Sequence, residues 1–232
     1  MNKLAVFVEG YTEVVFVEKL IEEIAGETNV LIEHRKIRGG GSKRRTFALV
    51  RAAKLDTGQQ YFVMIIDCGG DHLVKERVLE EHRNLTNAGY SKIIALRDVR
   101  PEFTRADIPR LETGLRTYIK SSLIPVEFIL AILEIEAWFL AECTHFPRIH
   151  PAITVAAIIA TLGFDPEHDD MSVRPSPADD VNQCYAIGGK TYEKHMAKDT
   201  VEALDYALVY LDLPAKIPYL GRLVGSISSF LS

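Results

Sequence analysis

The stretch Leu4-Ala5-Val6-Phe7-Val8-Glu9-Gly10-Tyr11-Thr12-Glu13 decides how this chain reads. Its apolar run has the composition of a buried strand and stops abruptly at a carboxylate and a glycine. A strand that delivers an acid at its C-terminal end, followed by glycine and a helix start, is how an open α/β sheet usually presents chemistry. The same event recurs at Tyr61 to Ile66, a run rich in β-branched and aromatic residues that ends in Asp67, with Gly69, Gly70 and Asp71 close behind. Two strands ending in acids, each followed by a glycine turn, point to a divalent-metal site.

Working outward, Thr12 is placed to cap a helix running to about Ala25. Val14, Val15, Val17, Leu20, Ile21 and Ile24 follow helical spacing along it. Val30 to Ile37 reads as a second strand, Gly39 to Ser42 as a flexible loop, and Arg44 to Leu55 as a helical pattern. Tyr61 to Asp67 is the third strand, His72 to Ala88 a polar-faced helix and Lys92 to Leu96 a fourth strand. Repeated βα units predict an α/β fold with a mostly parallel central sheet and helices on both faces.

Beyond Asp98, prolines at 101, 109 and 125 punctuate a connection that carries a helix over Ile108 to Ser121. Val126 to Glu134 reads as another buried strand, passing into a helix near Glu136 to Glu142. From about residue 146 the pattern is helical: Ile153 to Leu162, an acidic proline-bearing loop from Asp165 to Asp180, then Lys194 to Leu211 and Pro218 to Leu231. The expected organisation is an α/β domain over 1–142 and a helical addition over 143–232 packed on it.

Composition narrows the function classes. With 232 residues and 47% hydrophobic content the chain can build a sizeable core. Its formal charge of -5 means that nucleic-acid binding must rest on a local patch. Three widely spaced cysteines, Cys68, Cys143 and Cys184, form neither a disulfide framework nor a CxxC pair, which favours a reducing compartment, the cytoplasm by default. Every apolar stretch is cut by charge or too short to span a bilayer, and the five apolar residues before Glu9 are too few for a signal-peptide core.

Magnesium takes oxygen ligands, commonly one or two carboxylates with water and substrate phosphate. Glu9, Glu13 and Asp67 meet that need if the first and third strands are neighbours, since Gly10 lets the backbone fold Glu9 and Glu13 toward each other. Glu13 has a competing explanation, because acids are favoured in the first turn of any helix. An acid ending an apolar strand, as Glu9 does, is functional or ion-paired. Asp67 and Asp71 beside glycines also suit ordinary turns. Glu134 and Glu136, two apart in an apolar run, would share one face of an extended strand; at least one points into a polar cleft, or Glu134 pairs with a buried arginine, or both lie on a solvated strand end.

Arg35, Lys36, Arg38, Lys43, Arg44 and Arg45, with His34 and Arg51, surround the Gly39 to Ser42 loop. Cations on a glycine-hinged backbone suit a phosphate backbone, and equally describe a solvated face. Gly39 to Lys43 and the string ending Gly189-Lys190-Thr191 both fail the P-loop spacing, the latter because Cys184 stands where its first glycine is required. Lys190 or Lys194 can instead stabilise charge developing on a phosphate. The remaining histidines and cysteines have no zinc spacing, and the lone Trp138 reads as core.

Val8-Glu9-Gly10-Tyr11-Thr12-Glu13, with the acidic strand end at Asp67, resembles the Toprim domain shared by topoisomerases, primases and the nucleases of the OLD (overcoming lysogenization defect) type. Glu134-Ile135-Glu136-Ala137-Trp138-Phe139-Leu140-Ala141 further resembles a stand-alone Toprim-like bacterial family related to those nucleases. The likeness extends through Gly189-Lys190-Thr191-Tyr192-Glu193-Lys194. It implies Mg²⁺- or Mn²⁺-dependent phosphodiester cleavage of nucleic acid, DNA or RNA, in a defence effector working beside a separate ATPase. The Glu9 position would act at the scissile phosphate, Glu9, Glu13 and Asp67 would hold metal, and Lys190 would be the lysine near it. The chain departs from the Toprim pattern after the third strand: Asp67-Cys68-Gly69-Gly70-Asp71 has glycine where a second aspartate stands in Asp-x-Asp. Asp71, Glu134 and Glu136 are the candidates to complete the metal set. A Toprim fold that binds nucleic acid or protein without cutting is the alternative, and nucleotidyl transfer on the same carboxylates is a third reading.

Overall fold

The computed structural model of the chain describes residues 1–26, 30–40, 43–53, 60–70, 73–100 and 102–232, with the side chains of 43–45 outside that set. Six strands form one sheet: β1 (Asn2–Val8), β2 (Val30–Gly40), β3 (Lys43–Arg51), β4 (Tyr61–Asp67), β5 (Lys92–Asp98) and β6 (Val126–Ala131), in the order β3-β2-β4-β1-β5-β6. All neighbours pair in parallel except β3, which runs antiparallel to β2 at one edge. The fold class is therefore α/β with a mostly parallel sheet, as the βα alternation predicts.

The helices are α1 (Tyr11–Ala25), α2 (Val74–Asn87), α3 (Ile108–Arg116), α4 (Glu136–Ala141), α5 (Phe146–Ile149), α6 (Val155–Leu162), α7 (Pro177–Ile187), α8 (Ala197–Ala203), α9 (Tyr206–Leu211), α10 (Leu213–Lys216) and α11 (Pro218–Phe230). Strand residues alternate between two cores with the period of two that a pleated strand imposes. Leu4, Val6 and Val8 of β1, Val63 and Ile65 of β4, and Ile94 and Leu96 of β5 join α1, α4 and the helices beyond residue 143 in the larger core. Ala5, Phe7, Met64, Ile66, Ile93 and Ala95 face the other way, onto α2 and α3. The unbroken apolar run Leu4 to Val8 of β1 thus reflects burial on both faces. No helix among the described residues is long and apolar enough to cross a membrane.

The structure corrects several sequence expectations. The cationic segment after Gly41 is not helical: it forms β3, because pairing with β2 gives Thr46 and Phe47 the extended backbone that β-branched and aromatic residues favour. Thr12 does not cap α1. Gly10 stands at the N-cap, and the Glu13 carboxylate reaches back to accept its N–H at 3.0 Å. β6 stops at Ala131, and Leu133, at φ 65°, turns the chain before α4. Glu134 and Glu136 therefore do not share a strand face. The helix expected from Lys194 to Leu211 is a 3₁₀ turn followed by α8 and α9, the latter restarted by Asp205, whose carboxylate accepts the N–H groups of Ala207 and Leu208. The acidic loop is shorter than expected, α7 having begun by Pro177.

Candidate carboxylate site

Parallel strands bring their C-terminal ends to one edge, so the acids that close β4, β1 and β5 become neighbours there. Val8 is in register with Asp67. Beyond that pair, the Cys68 N–H donates to Val8 O at 2.9 Å and the Gly70 N–H donates to Glu9 O at 3.0 Å. This turn needs its glycines: Gly69 has φ 80° and Gly70 φ 149°. Glu9 is buried, and its Oε1 accepts the backbone N–H of Asp98 at 2.7 Å, tying the end of β1 to the end of β5. Asp98, also buried, uses Oδ1 to accept the Ile135 N–H at 3.1 Å, which anchors the turn into α4. Acid side chains thereby stitch three segments, the ends of β1 and β5 and the turn into α4, while backbone bonds join β4 to them.

Glu13, Asp98, Glu134 and Glu136 gather around one cation, Lys194. Its Nζ lies 3.2 Å from Glu134 Oε1, 3.7 Å from Glu136 Oε2 and 3.8 Å from Asp98 Oδ2. Glu136, at the start of α4, is 0% exposed, and its Oε1 accepts the Tyr192 hydroxyl at 2.8 Å. Glu134 Oε2 accepts the Ala178 N–H at 3.1 Å. The segment that brings in Tyr192 and Lys194 is itself latched to α1, where Thr12 Oγ1 donates to Lys194 O at 3.1 Å.

Crowding buried carboxylates favours their neutral forms. Burial, and next the charge of Glu136, push Glu13 up to about 7. Burial, with Glu13 and Glu136, holds Asp98 well above the usual carboxylate range. Glu136 is also raised by burial, although Lys194 and Tyr192 oppose the shift. Burial works against the charge on Lys194, but Glu136, Asp98, Glu134 and Glu13 outweigh it and raise its ammonium above the ordinary lysine value.

Asp67 faces a different environment. Its Oδ2 is paired with Lys36 Nζ at 2.5 Å and its Oδ1 accepts the Gly69 N–H at 2.8 Å. It lines a groove of about 620 Å³ between α1, the β2–β3 hairpin and α8, together with Tyr11, Arg35, Lys36 and Arg51. Arg35 is engaged by Glu33 at 2.6 Å, and Arg38 is exposed. Lys43, Arg44 and Arg45 lie on the backbone of β3, their side chains outside the described residues, and Asp71 lies outside them altogether. Lys190 is exposed and lines a separate cavity of about 440 Å³ with Arg148 and Asp199. Among the described residues Lys194, not Lys190, forms ion pairs with the carboxylates.

Two members of this cluster escaped the sequence reading. Asp98 closes the run Lys92-Ile93-Ile94-Ala95-Leu96-Arg97 and carries the same strand-end signal as Glu9 and Asp67. Tyr192 had no comparable signal, because only the chain's return from the helical addition places its hydroxyl on Glu136. The chain matches no family model, no curated protein and no solved structure.

As to a metal, no three histidine, cysteine, aspartate or glutamate side chains among the described residues form a group poised to hold an ion. The donor set nevertheless fits a hard divalent cation in kind and in charge. All the donors are oxygens, carboxylates outnumber ammonium groups, and the buried Glu136 Oε2 accepts no hydrogen bond.

Proposed function

We propose that this chain is a metal-dependent phosphodiesterase of Toprim-like fold that cleaves nucleic acid at the carboxylate-bearing edge of its sheet. One observation carries the reading: β1 and β5 end in buried acids joined by the Glu9–Asp98 contact, with Glu13, Glu134 and Glu136 beside them and a single lysine among them. Buried like charges are costly, and a chain that concentrates them at the functional edge of an α/β sheet has a use for a cation there.

In this reading Glu9, Glu13, Asp98 and Glu136 hold Mg²⁺ or Mn²⁺, with Asp67 and Glu134 flanking. The bound ion would polarise the phosphate and lower the pKa of the attacking water. Lys194 offers its ammonium to charge developing on the phosphate, the role the sequence reading divided between Lys190 and Lys194. Thr12, through its hydrogen bond to the Lys194 carbonyl, fixes the backbone from which that lysine reaches. Cations of the β2–β3 hairpin, Arg35, Lys36 and Arg38 with Lys43, Arg44 and Arg45, bind backbone phosphates beyond the scissile one. The Toprim and OLD-type resemblance adds a defence effector acting with a separate ATPase. Three unpaired cysteines suit the reducing cytoplasm.

The test is incubation of wild-type and Glu9→Gln protein with labelled single- and double-stranded DNA and RNA, in Mg²⁺, Mn²⁺ or chelator. Wild type should cut, more readily in Mn²⁺, while Glu9→Gln should be folded and inactive. Undiminished cleavage by Glu9→Gln with ordinary metal dependence would refute the assignment. The ion pairs of Lys194 with three carboxylates and of Lys36 with Asp67 favour one second reading: a binding module whose acids are neutralised from within. Calorimetry with Mg²⁺ and Mn²⁺ separates the two, because that module takes up neither ion.

A further inference from the structure

Lys194 is held in an unusual way for a structural ion pair. Its ammonium is shared among acids from three places, the end of β5, the turn after β6 and the start of α4, with the shortest distance 3.2 Å and the others 3.7 and 3.8 Å. Its backbone is fixed, since its carbonyl accepts the Thr12 hydroxyl, yet its side chain remains 49% exposed. The side chain can therefore withdraw to solvent while the main chain stays in place. What it would leave behind is severe. Glu136 Oε2 is fully buried, accepts no hydrogen bond, and has Lys194 as its one ion-pair partner among the described residues. With every group ionised, Glu13, Asp98, Glu134 and Glu136 against Lys194 carry a formal charge of -3, an excess that protonation or a bound cation relieves.

We propose that Lys194 is the resident counter-ion of this cluster, an internal stand-in for a divalent cation. Its ammonium and such a cation are mutually exclusive occupants of the Asp98, Glu134 and Glu136 carboxylates. The inference rests on the metal-dependent reading above and adds a property to it: the helical addition supplies a built-in competitor that neutralises the site until a cation displaces it. Lysine suits that exchange, being a compact charge on a flexible stem.

The experiment compares the full-length chain with Lys194→Met, Lys194→Gln and Lys194→Arg, by Mn²⁺ calorimetry at pH 8 and by thermal unfolding in chelator. In chelator Lys194→Met should melt below wild type and Lys194→Arg close to it. With Mn²⁺, both neutral variants should bind at least about tenfold more tightly than wild type, since a competing positive charge within about 4 Å of the carboxylates has been removed, whereas Lys194→Arg should not. Lys194→Gln, which keeps a polar head, carries the binding test if Lys194→Met does not fold. Equal or weaker Mn²⁺ binding by the neutral variants overturns the exclusion while leaving the metal reading standing. Absence of Mn²⁺ binding in every chain overturns both. An unchanged melting temperature for Lys194→Met in chelator overturns the counter-ion role.

Discussion

Tyr192→Phe is a single-atom test of whether the C-terminal segment is energetically part of the site. The change removes one hydroxyl and keeps the ring, which packs edge-on against Tyr185 at 6.0 Å between centroids. The hydroxyl donates at 2.8 Å to Glu136 Oε1, and Glu136 has no exposed surface through which water could replace it. Hydrogen bonds to charged groups contribute about 1.5–3 kcal/mol, and stranding a buried acceptor adds desolvation cost. Glu136 Oε2 already lacks a hydrogen bond, so the variant takes from Oε1 a side-chain donor that Oε2 cannot replace. A loss of about 2–3 kcal/mol at neutral pH follows, which in a chain of this length corresponds to a fall in Tm of roughly 4–12 °C. Urea denaturation in chelator at pH 7.5 measures it. A cycle with Glu136→Gln should recover a coupling of about 1 kcal/mol or more, as expected for groups in direct contact. If Tyr192→Phe lies within about 0.5 kcal/mol of wild type, the ordinary scatter of inconsequential substitutions, the hydroxyl does not hold this carboxylate and the segment is not anchored as described.

Two further outcomes follow from the same geometry. Glu13 is held up to about 7 against an ordinary 4.5, so the folded state prefers it protonated; its contribution is complete below about pH 4.5 and is lost as pH rises through 7. Glu13→Gln should flatten that part of the metal-free stability profile, measured by urea unfolding in chelator at pH 5, 6 and 7.5, and an unaltered slope would contradict the shift. Phe16, fully buried with ring centroids 5.7 Å from both Trp138 and Phe139 and 6.3 Å from Tyr206, joins α1 to α4 and α9. Phe16→Ala should cost about 3–5 kcal/mol in chemical denaturation, whereas a loss below about 1 kcal/mol would mean that this junction is loosely packed.

Much of the sheet was legible because its signal is local. Strands buried on both faces read as unbroken apolar runs, and the acids that end them are conspicuous, as at Glu9 and Asp67. Asp98 was equally legible in principle, being the end of a third such run. The edge strand β3 was not, because Lys43 to Arg51 has one buried neighbour strand and an exposed side, and exposed strands carry charge that breaks the alternation. Glu134 and Glu136 were misplaced on a strand face since nothing in the apolar run announces the left-handed turn at Leu133. Their proximity survived for a tertiary reason: both meet Lys194. Tyr192 lies 56 residues along the chain from Glu136. No spacing rule spans such a distance; only the packing of the helical addition decides it.

That packing changes what the division near residue 142 means. The larger core runs without interruption from Leu4, Val6 and Val8 through Phe16 and Trp138 to Tyr185, Val201 and Leu223, so α1 has apolar partners on the sheet and in the helical addition alike. The polar site crosses the same boundary, with acids from the sheet half and Tyr192 and Lys194 from the other. The two halves supply complementary charges to the cluster: Asp98, Glu134 and Glu136 come from the sheet half and Lys194 from the helical half. Apolar burial supplies the free energy that holds such an arrangement closed, because the paired charges roughly offset their own desolvation and no more. Asp98, Glu134 and Glu136 are thereby kept close around the Lys194 ammonium, an arrangement to which both halves of the chain contribute.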